Sequence, residues 1–282
     1  VSVYKELNDR EWLVENYENN LRSCLNISKE IGCNNNAVRQ ALIKHGIRVR
    51  NPSEAQLTKS TTNLQINKSI LDGSLMGDAY LAKWRKGSNS LPRLGKANKF
   101  LDHVMWFAKS FEDSPNIQLQ FDSKTKSFPS YVYRSNVDPQ LEDYYKRWYP
   151  ESNNYKKVIP DDLVIDQMFL LQWFLDDGYS HLRNRKVEME LKGWKQNIDQ
   201  VLVGFCTECF ELEQQQNLCD KINEKYDISI KPKKIVWKNS TESKEGYRLT
   251  VAQTKTNNFF NIIGECPIET LKYKWKLVET VN

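Results

Sequence analysis

The sequence predicts an α+β fold, in which two similar halves each pack helices on one face of an antiparallel sheet, with a small all-α module ahead of them. Three observations predict it. An internal repeat overlays "NKSILDGSLMGDAYLAKW" on "DQMFLLQWFLDDGYSHLR" at an offset of 99 residues, so that Asp78 falls on Asp177. After each copy the apolar pattern alternates between strand and helix periods, which gives the order α-β-β-α-β-β-α twice. Residues 8–50, before both copies, carry only helical signals.

The first helical signal is "NDREWLVENYEN", with an Asn/Asp start and Trp12, Leu13 and Tyr17 at helical spacing. In "LNISKEIGCNNNAVRQALIKHGIRVR" the core candidates are Leu25, Ile27, Ile31, Val38, Leu42 and Ile47. Gly32 breaks the chain after a short helix, and Asn34 or Asn35 can cap the next one. A short helix, a glycine turn and a second helix form a helix-turn-helix pattern. In DNA-binding versions the second helix enters the major groove. Its exposed face here would carry Asn35, Asn36, Arg39, Gln40 and Lys44, side chains that suit base edges, with Arg48 and Arg50 beyond it as phosphate partners. Net charge steps from −2 over residues 1–30 to +4 over residues 31–60, where this helix begins. The plainer alternative is a helical packing module with a solvated basic face. The module is assigned to residues 1–52, and the polar stretch 53–65 to a linker.

The first half spans residues 66–157 and the second 158–282. In the first, "AYLAKWRKG" and "SLPRLGKAN" read as strands, "KFLDHVMWFAKSFED" as an amphipathic helix, "NIQLQFD" and "FPSYVYRS" as strands, and "PQLEDYYKRWY" as a closing helix. In the second the matching segments are "SHLRNRKVEMELKGW", "DQVLVGFCT", "ELEQQQNLCDKINEKY", "ISIKPKKIVWK", "YRLTVAQT" and "NNFFNIIGE". The first hairpin of the second half is the longer. The aromatic spacing of Tyr144, Tyr145, Trp148 and Tyr149 fits a helix packed on a sheet rather than a base-stacking platform.

Composition bounds the function classes. The chain has 282 residues, 39% of them hydrophobic, which is enough for a large core. No apolar run approaches the ~18–20 residues needed to span a bilayer, and no secretory signal is visible, so no membrane partner is expected. A net charge of +5 permits nucleic-acid binding without arguing for it. Cys206 and Cys209 have C-x-x-C spacing but lie in "VLVGFCTECFEL", which reads as a strand with alternate residues buried. Buried reduced thiols, and hence an intracellular protein, are expected over a metal site.

The two repeat motifs are "LDGSLMGDA", Leu71 to Ala79, and "LLQWFLDDG", Leu170 to Gly178. With "YKKVIPDDLV" before the second motif and "IETLKYKW" near the C-terminus, they resemble the LAGLIDADG homing endonucleases. The subgroup resembled is the single-chain, two-motif meganucleases of mitochondrial group I introns, and the resemblance covers residues 64–279. It implies two motif helices crossing at a pseudo-twofold axis, with the two sheets forming a DNA-binding saddle. It also implies a monomer that makes a double-strand break in a long, asymmetric target, leaving 3′ overhangs of a few bases.

The resemblance further implies a divalent-metal centre, with Mg²⁺ as cofactor and Mn²⁺ able to substitute. Asp78 and Asp177 are the implied ligands, with main-chain carbonyls of Gly77 and Asp176 beside them. Asp176 is itself a second possible side-chain ligand. The physical logic agrees with this. Gly73 and Gly77 share a helix face at the crossing, and two carboxylates at helix C-termini repel until divalent cations join them. An acid at the end of one core helix is ordinarily just solvated; it is the matched pair that argues for a centre. The second motif departs from the pattern, with Gln172 and Asp176 where small residues are usual.

Basic residues implied beside the metals are Arg134, Lys274 and, by internal symmetry, Lys255. The DNA-reading set is Lys83, Trp84, Arg85, Lys86, Arg93 and Lys96 after the first motif, and Arg183, Arg185, Lys186, Lys192 and Lys195 after the second. Strands alternate faces, so about half of such a set can meet DNA. Other family members are RNA-splicing maturases. Host intron RNA therefore stays open as a partner, and a cleavage-inactive DNA-binding regulator is a further alternative.

Overall fold

The computed structural model describes residues 4–51, 54–55, 64–86, 90–121, 129–184, 199–238 and 243–275. The N-terminal module begins with α1 (Arg10–Val14), capped by Asp9, whose side chain accepts from Trp12 N. α2 (Cys24–Ile31) is capped by Ser23 and ends at Gly32, which adopts φ +70°, a conformation that suits glycine. α3 (Asn35–Lys44) is capped by Asn34, whose Oδ1 accepts from Asn36 N at 2.8 Å. Leu7, Leu13, Tyr17, Ile27, Val38, Ala41, Leu42 and Ile47 form a core separate from that of the rest of the chain. Leu25, expected inside, is about half exposed.

Each half has the predicted order. The first runs α4 (Lys68–Leu75), β1 (Ala79–Ala82), β2 (Arg93–Asn98), α5 (Leu101–Lys109), β3 (Ile117–Gln120), β4 (Ser130–Val137) and α6 (Leu141–Trp148). The second runs α7 (Gln167–Asp177), β5 (Gly178–Asn184), β6 (Asp199–Phe205), α8 (Leu212–Lys225), β7 (Ile230–Lys238), β8 (Ser243–Val251) and α9 (Thr256–Ile263). The sheets are antiparallel with matching orders, β1-β2-β4-β3 and β5-β6-β8-β7. The repeat extends to register: Tyr80 pairs with Gly95 in one sheet and Tyr179 with Gly204 in the other. In both, the tyrosine ring fills the space a Cβ on the glycine would need.

Helix α7 is apolar almost all round because every side is covered: all seven residues from Phe169 to Leu175 are buried, Gln172 being the one polar member. Asn67 caps α4 and Asp166 caps α7, at the repeat offset, and Ser69 Oγ donates to Asp166 Oδ2 at 2.5 Å. The two helices cross where α4 has glycines and α7 has bulk. A Cβ on Gly73 would lie 2.6 Å from Phe169 O, and one on Gly77 2.5 Å from Asp176 Cβ. Small residues are therefore needed on one helix only, because the larger side chains of α7 fill the gaps α4 leaves.

Strand β6 stops at Phe205, and Cys206–Cys209 lies in the turn that follows. Cys206 is half-buried and Cys209 exposed, so the expectation of a strand with buried thiols at both positions is corrected. All six cysteines are unpaired. No helix among the described residues is long and apolar enough to cross a membrane.

The crossing yields a stability prediction. Gly73→Ala places a methyl against a backbone carbonyl, which cannot turn away as a side chain can. The substitution should cost about 1–3 kcal/mol, measured by chemical denaturation, and an unchanged midpoint would contradict the close approach.

Candidate active site

The C-terminal tips of α4 and α7 meet, and each leads into a strand through an acid. Asp78 accepts from Asn98 Nδ2 at 2.8 Å. Asp177 follows Asp176 at the end of α7, and a Cβ on Gly77 would lie 3.3 Å from its Cγ, so the first tip packs directly on the second. Burial raises Asp78, and the charge of Asp176 adds to the effect. Asp177 is pushed up to about 7, first by burial and then by Asp78 and Asp176. The structure thus brings Asp78 and Asp177 together as carboxylates whose charges are poorly compensated.

Two lysines flank the pair. Lys274 Nζ donates to Phe174 O at 3.0 Å and Leu175 O at 2.9 Å, capping the end of α7. Lys157 Nζ does the same at the first tip, donating to Gly77 O at 3.2 Å and Ala79 O at 2.9 Å. Burial lowers both, Lys274 to about 8, against the pull of the nearby aspartates. Lys157 was not among the candidates named from the sequence. Its signal is the likeness of "YKKVIP" to "LKYKWK", each of which returns a lysine to a motif-helix tip.

Asp176 is different in kind. Its side chain is wholly buried, and Oδ1 accepts from Lys96 Nζ, from His103 Nε2 at 2.8 Å and from Gln172 Nε2 at 3.0 Å. Trp106 Nε1 in turn holds Gln172 Oε1 at 3.2 Å. Burial opposes the charge of Asp176, but Lys96 and His103 outweigh it and hold the carboxyl below its usual range. Burial, with Lys96 beside it, lowers His103, which favours the neutral imidazole, the form that bonds Asp176 through Nε2–H. Asp176 Oδ2 has no hydrogen-bond partner.

The donor set fits a hard divalent cation. Two half-buried carboxylates from opposite helices, mutually repelling and, among the described residues, free of bonded lysine, are the ligands Mg²⁺ or Mn²⁺ takes. Ligand atoms of Asp78, His103 and Asp176 also lie within 4.8 Å of one another. An ion at that second group would have to displace Lys96, so Asp78 with Asp177 is the better-fitting pair. The Gly77 carbonyl, an expected ligand, already accepts from Lys157.

Several expected contacts fall elsewhere. Lys96 was expected on the DNA-reading face; strand alternation puts it on the inner face of β2 with Leu94, fully buried. Lys83 is also turned inward, paired with Glu142 at 2.8 Å and only 7% exposed. Lys255 pairs with Asp227 rather than with the carboxylate centre. Arg134 lies on the open face of β4, donating to Gln120 Oε1 at 3.3 Å, where it shares a concavity with Arg93. Arg50 lies 4.0 Å over the Tyr17 ring and donates to Arg22 O, so it is not a free phosphate partner, whereas Arg48 pairs with Glu54 and remains exposed.

Asn35, Asn36, Arg39, Gln40 and Lys44 are exposed on α3, and Arg85 and Lys86 are exposed beyond β1. Arg185, Lys186, Lys192 and Lys195 lie outside the described residues, and Arg183 is described for its backbone alone. The open face of the second sheet carries basic groups that charge patterning did not single out. Lys231, Lys233 and Arg248 line a concavity with Tyr179, His181 and Thr250, Arg248 being paired there with Glu208.

Residues 68–259 match the model of the LAGLIDADG DNA endonuclease family. The chain is similar to a probable intron-encoded endonuclease 1 of Wickerhamomyces canadensis, 22% identical over 76% of this chain and 85% of the relative. An uncharacterized protein of Methanocaldococcus jannaschii is 28% identical over 57% of this chain and 62% of its own length. Among solved structures, the homing endonuclease I-WcaI bound to its DNA recognition sequence shares the fold. It has a TM-score of 0.55 at 19% identity, covering 80% of this chain and 94% of that one.

The raised carboxylate has a stability signature. In the unfolded chain Asp177 titrates at its ordinary value of 3.8, and in the folded protein at about 7. Between those limits the folded state binds the proton more tightly, so the Asp177 contribution to stability falls as pH rises through the window. Asn mimics the protonated form. In chelator at pH 8, Asp177→Asn should raise Tm, by roughly 2–4 °C for each kcal/mol recovered, and the gain should shrink toward pH 4. A variant less stable than the parent at pH 8 would contradict this account.

Proposed function

Because the chain belongs to the LAGLIDADG DNA endonuclease family, we propose that it is a site-specific homing endonuclease that hydrolyses one phosphodiester on each strand of a long duplex target, with Mg²⁺ as cofactor. The observation that carries this reading is the meeting of Asp78 and Asp177 at the crossed helix tips, one acid from each half. The probable endonuclease and the DNA-bound homing endonuclease to which the chain is similar support it.

Asp78 and Asp177 would hold the metal, each serving mainly one strand. When bound, Mg²⁺, or Mn²⁺ in its place, supplies an activated water and charge stabilisation of the leaving oxygen. Asn98 fixes the orientation of Asp78 through its 2.8 Å bond. Lys157 and Lys274 keep positive charge beside the pair while their ammonium groups are held on main-chain carbonyls. From there they face negative charge developing on the phosphate. The open faces of the two sheets meet the duplex. Arg93, Arg134, Gln118 and Asn136 serve on the first, and His181, Lys231, Lys233 and Arg248 on the second. The N-terminal module extends the footprint through the exposed face of α3.

Incubation of the protein and Mg²⁺ with a plasmid library should give a defined break. Asp78→Asn and Asp177→Asn should each lower cleavage by roughly 100-fold or more; full activity in both would remove them from the centre. Arg39→Ala with Lys44→Ala should weaken duplex binding and flatten its salt dependence, by about one unit of slope for each phosphate no longer neutralised. Unchanged affinity and slope would separate the N-terminal module from DNA.

A further inference from the structure

Lys96 and Asp176 together break the pseudo-twofold. Lys96 faces Ala79 across β1 and β2, while Phe205 faces Gly178 across β5 and β6. The repeat places Ala79 on Gly178, so Lys96 stands where the other half has Phe205. It also places Asp176 on Gly77 and Gln172 on Gly73. In the second half the equivalent space is apolar, with Phe205 stacked on Trp173 at 4.0 Å. In the first half it holds an ammonium, an imidazole and, reaching across from α7, a carboxylate.

This pocket is built for a cation. The Lys96 ammonium bonds Asp176 Oδ1 and lies 4.7 Å from the centre of the Phe107 ring. Both charged side chains are fully buried. His103, Asp176 and Asp78 offer ligand atoms within 4.8 Å of one another, a mixed nitrogen and oxygen set that suits transition metals better than Mg²⁺. An ammonium and a divalent ion so close would repel strongly in a dry interior. We propose that Lys96 is a built-in cation that occupies this pocket in place of a divalent ion. It thereby confines metal to the Asp78–Asp177 pair and keeps imidazole-ligated metals out of the centre. This deepens the proposed function and rests on Asp78 and Asp177 being the metal ligands. Lys96 is a positioning residue in this scheme, acting on metal occupancy through Asp176.

Mn²⁺ alone, counted by electron paramagnetic resonance on the 282-residue chain without DNA, tests it; a hard ion avoids the free cysteines. Lys96→Met should bind one more Mn²⁺ than the parent, and adding His103→Phe should remove the extra ion. Folded Lys96→Met with the parental count would overturn the proposal. Lys96→Gln, a neutral variant that can still bond Asp176, repeats the test should Lys96→Met not fold: one extra Mn²⁺ is expected, and the parental count would overturn the proposal. The neutral double variant Lys96→Met/Asp176→Asn leaves no buried charge unpaired and asks whether Asp176 is a ligand in the parent. The parental count is expected, and a lower count would make Asp176 a ligand in the parent and overturn the proposal. The double variant Asp78→Asn/Asp177→Asn tests the underlying reading separately. A drop in its count supports those two as ligands, and an unchanged count sinks that reading whatever the Lys96 variants show.

Discussion

Two helices must cross in the middle of the molecule, and each must end in an acid at the crossing. The remainder of the centre answers that constraint. A helix C-terminus already carries partial negative charge on its free carbonyls, and a carboxylate there is disfavoured. Two such ends in contact compound the problem, which is why burial and mutual repulsion hold Asp177 up at about 7. The fold offsets part of the cost with Lys157 and Lys274, each bonded to the carbonyls of one tip. Among the described residues it leaves the carboxylates themselves without a bonded lysine, so they remain available to a divalent ion. Close approach of the tips depends on Gly73 and Gly77, whose missing Cβ atoms make room for Phe169, Gln172 and Asp176.

Much of this was legible in the sequence because it depends on periodicity and spacing. The order of elements, the two sheets and the pairing of Asp78 with Asp177 all follow from a 99-residue repeat whose copies each turn from helix to strand at an acid. What escaped depends on which way a side chain points and on contacts far apart in the chain. Lys96 looks like one more basic residue near a strand; only the phase of β2, fixed by Leu94, sends it inward. His103 reads as a polar interruption in an amphipathic helix until α7 supplies its carboxylate, 73 residues away. Lys157 lies within "YKKVIPDDLV", but nothing local shows that its ammonium reaches the Gly77 carbonyl. Arg50 and Lys255 failed as candidates for the opposite reason. Each found an intramolecular partner, Tyr17 and Asp227, that charge patterning alone does not reveal.

The two halves repeat in backbone and register but not in their polar interiors, and that difference separates stability from function. A buried ion pair is seldom the most stabilising way to fill a space, since well-packed apolar groups do as well or better. Here the apolar solution exists within the same chain: Phe205 and Gly77 fill the positions equivalent to Lys96 and Asp176, on matching strands and helices. The fold therefore does not require charge at this place. Once present, the charges bind each other so fully that Asp176 keeps its proton off despite complete burial, while its neighbour Asp177 is pushed toward keeping one. Adjacent aspartates on one helix thus hold opposite protonation tendencies. The difference comes from Lys96 and His103, which the first half extends across the interface to one acid and not the other.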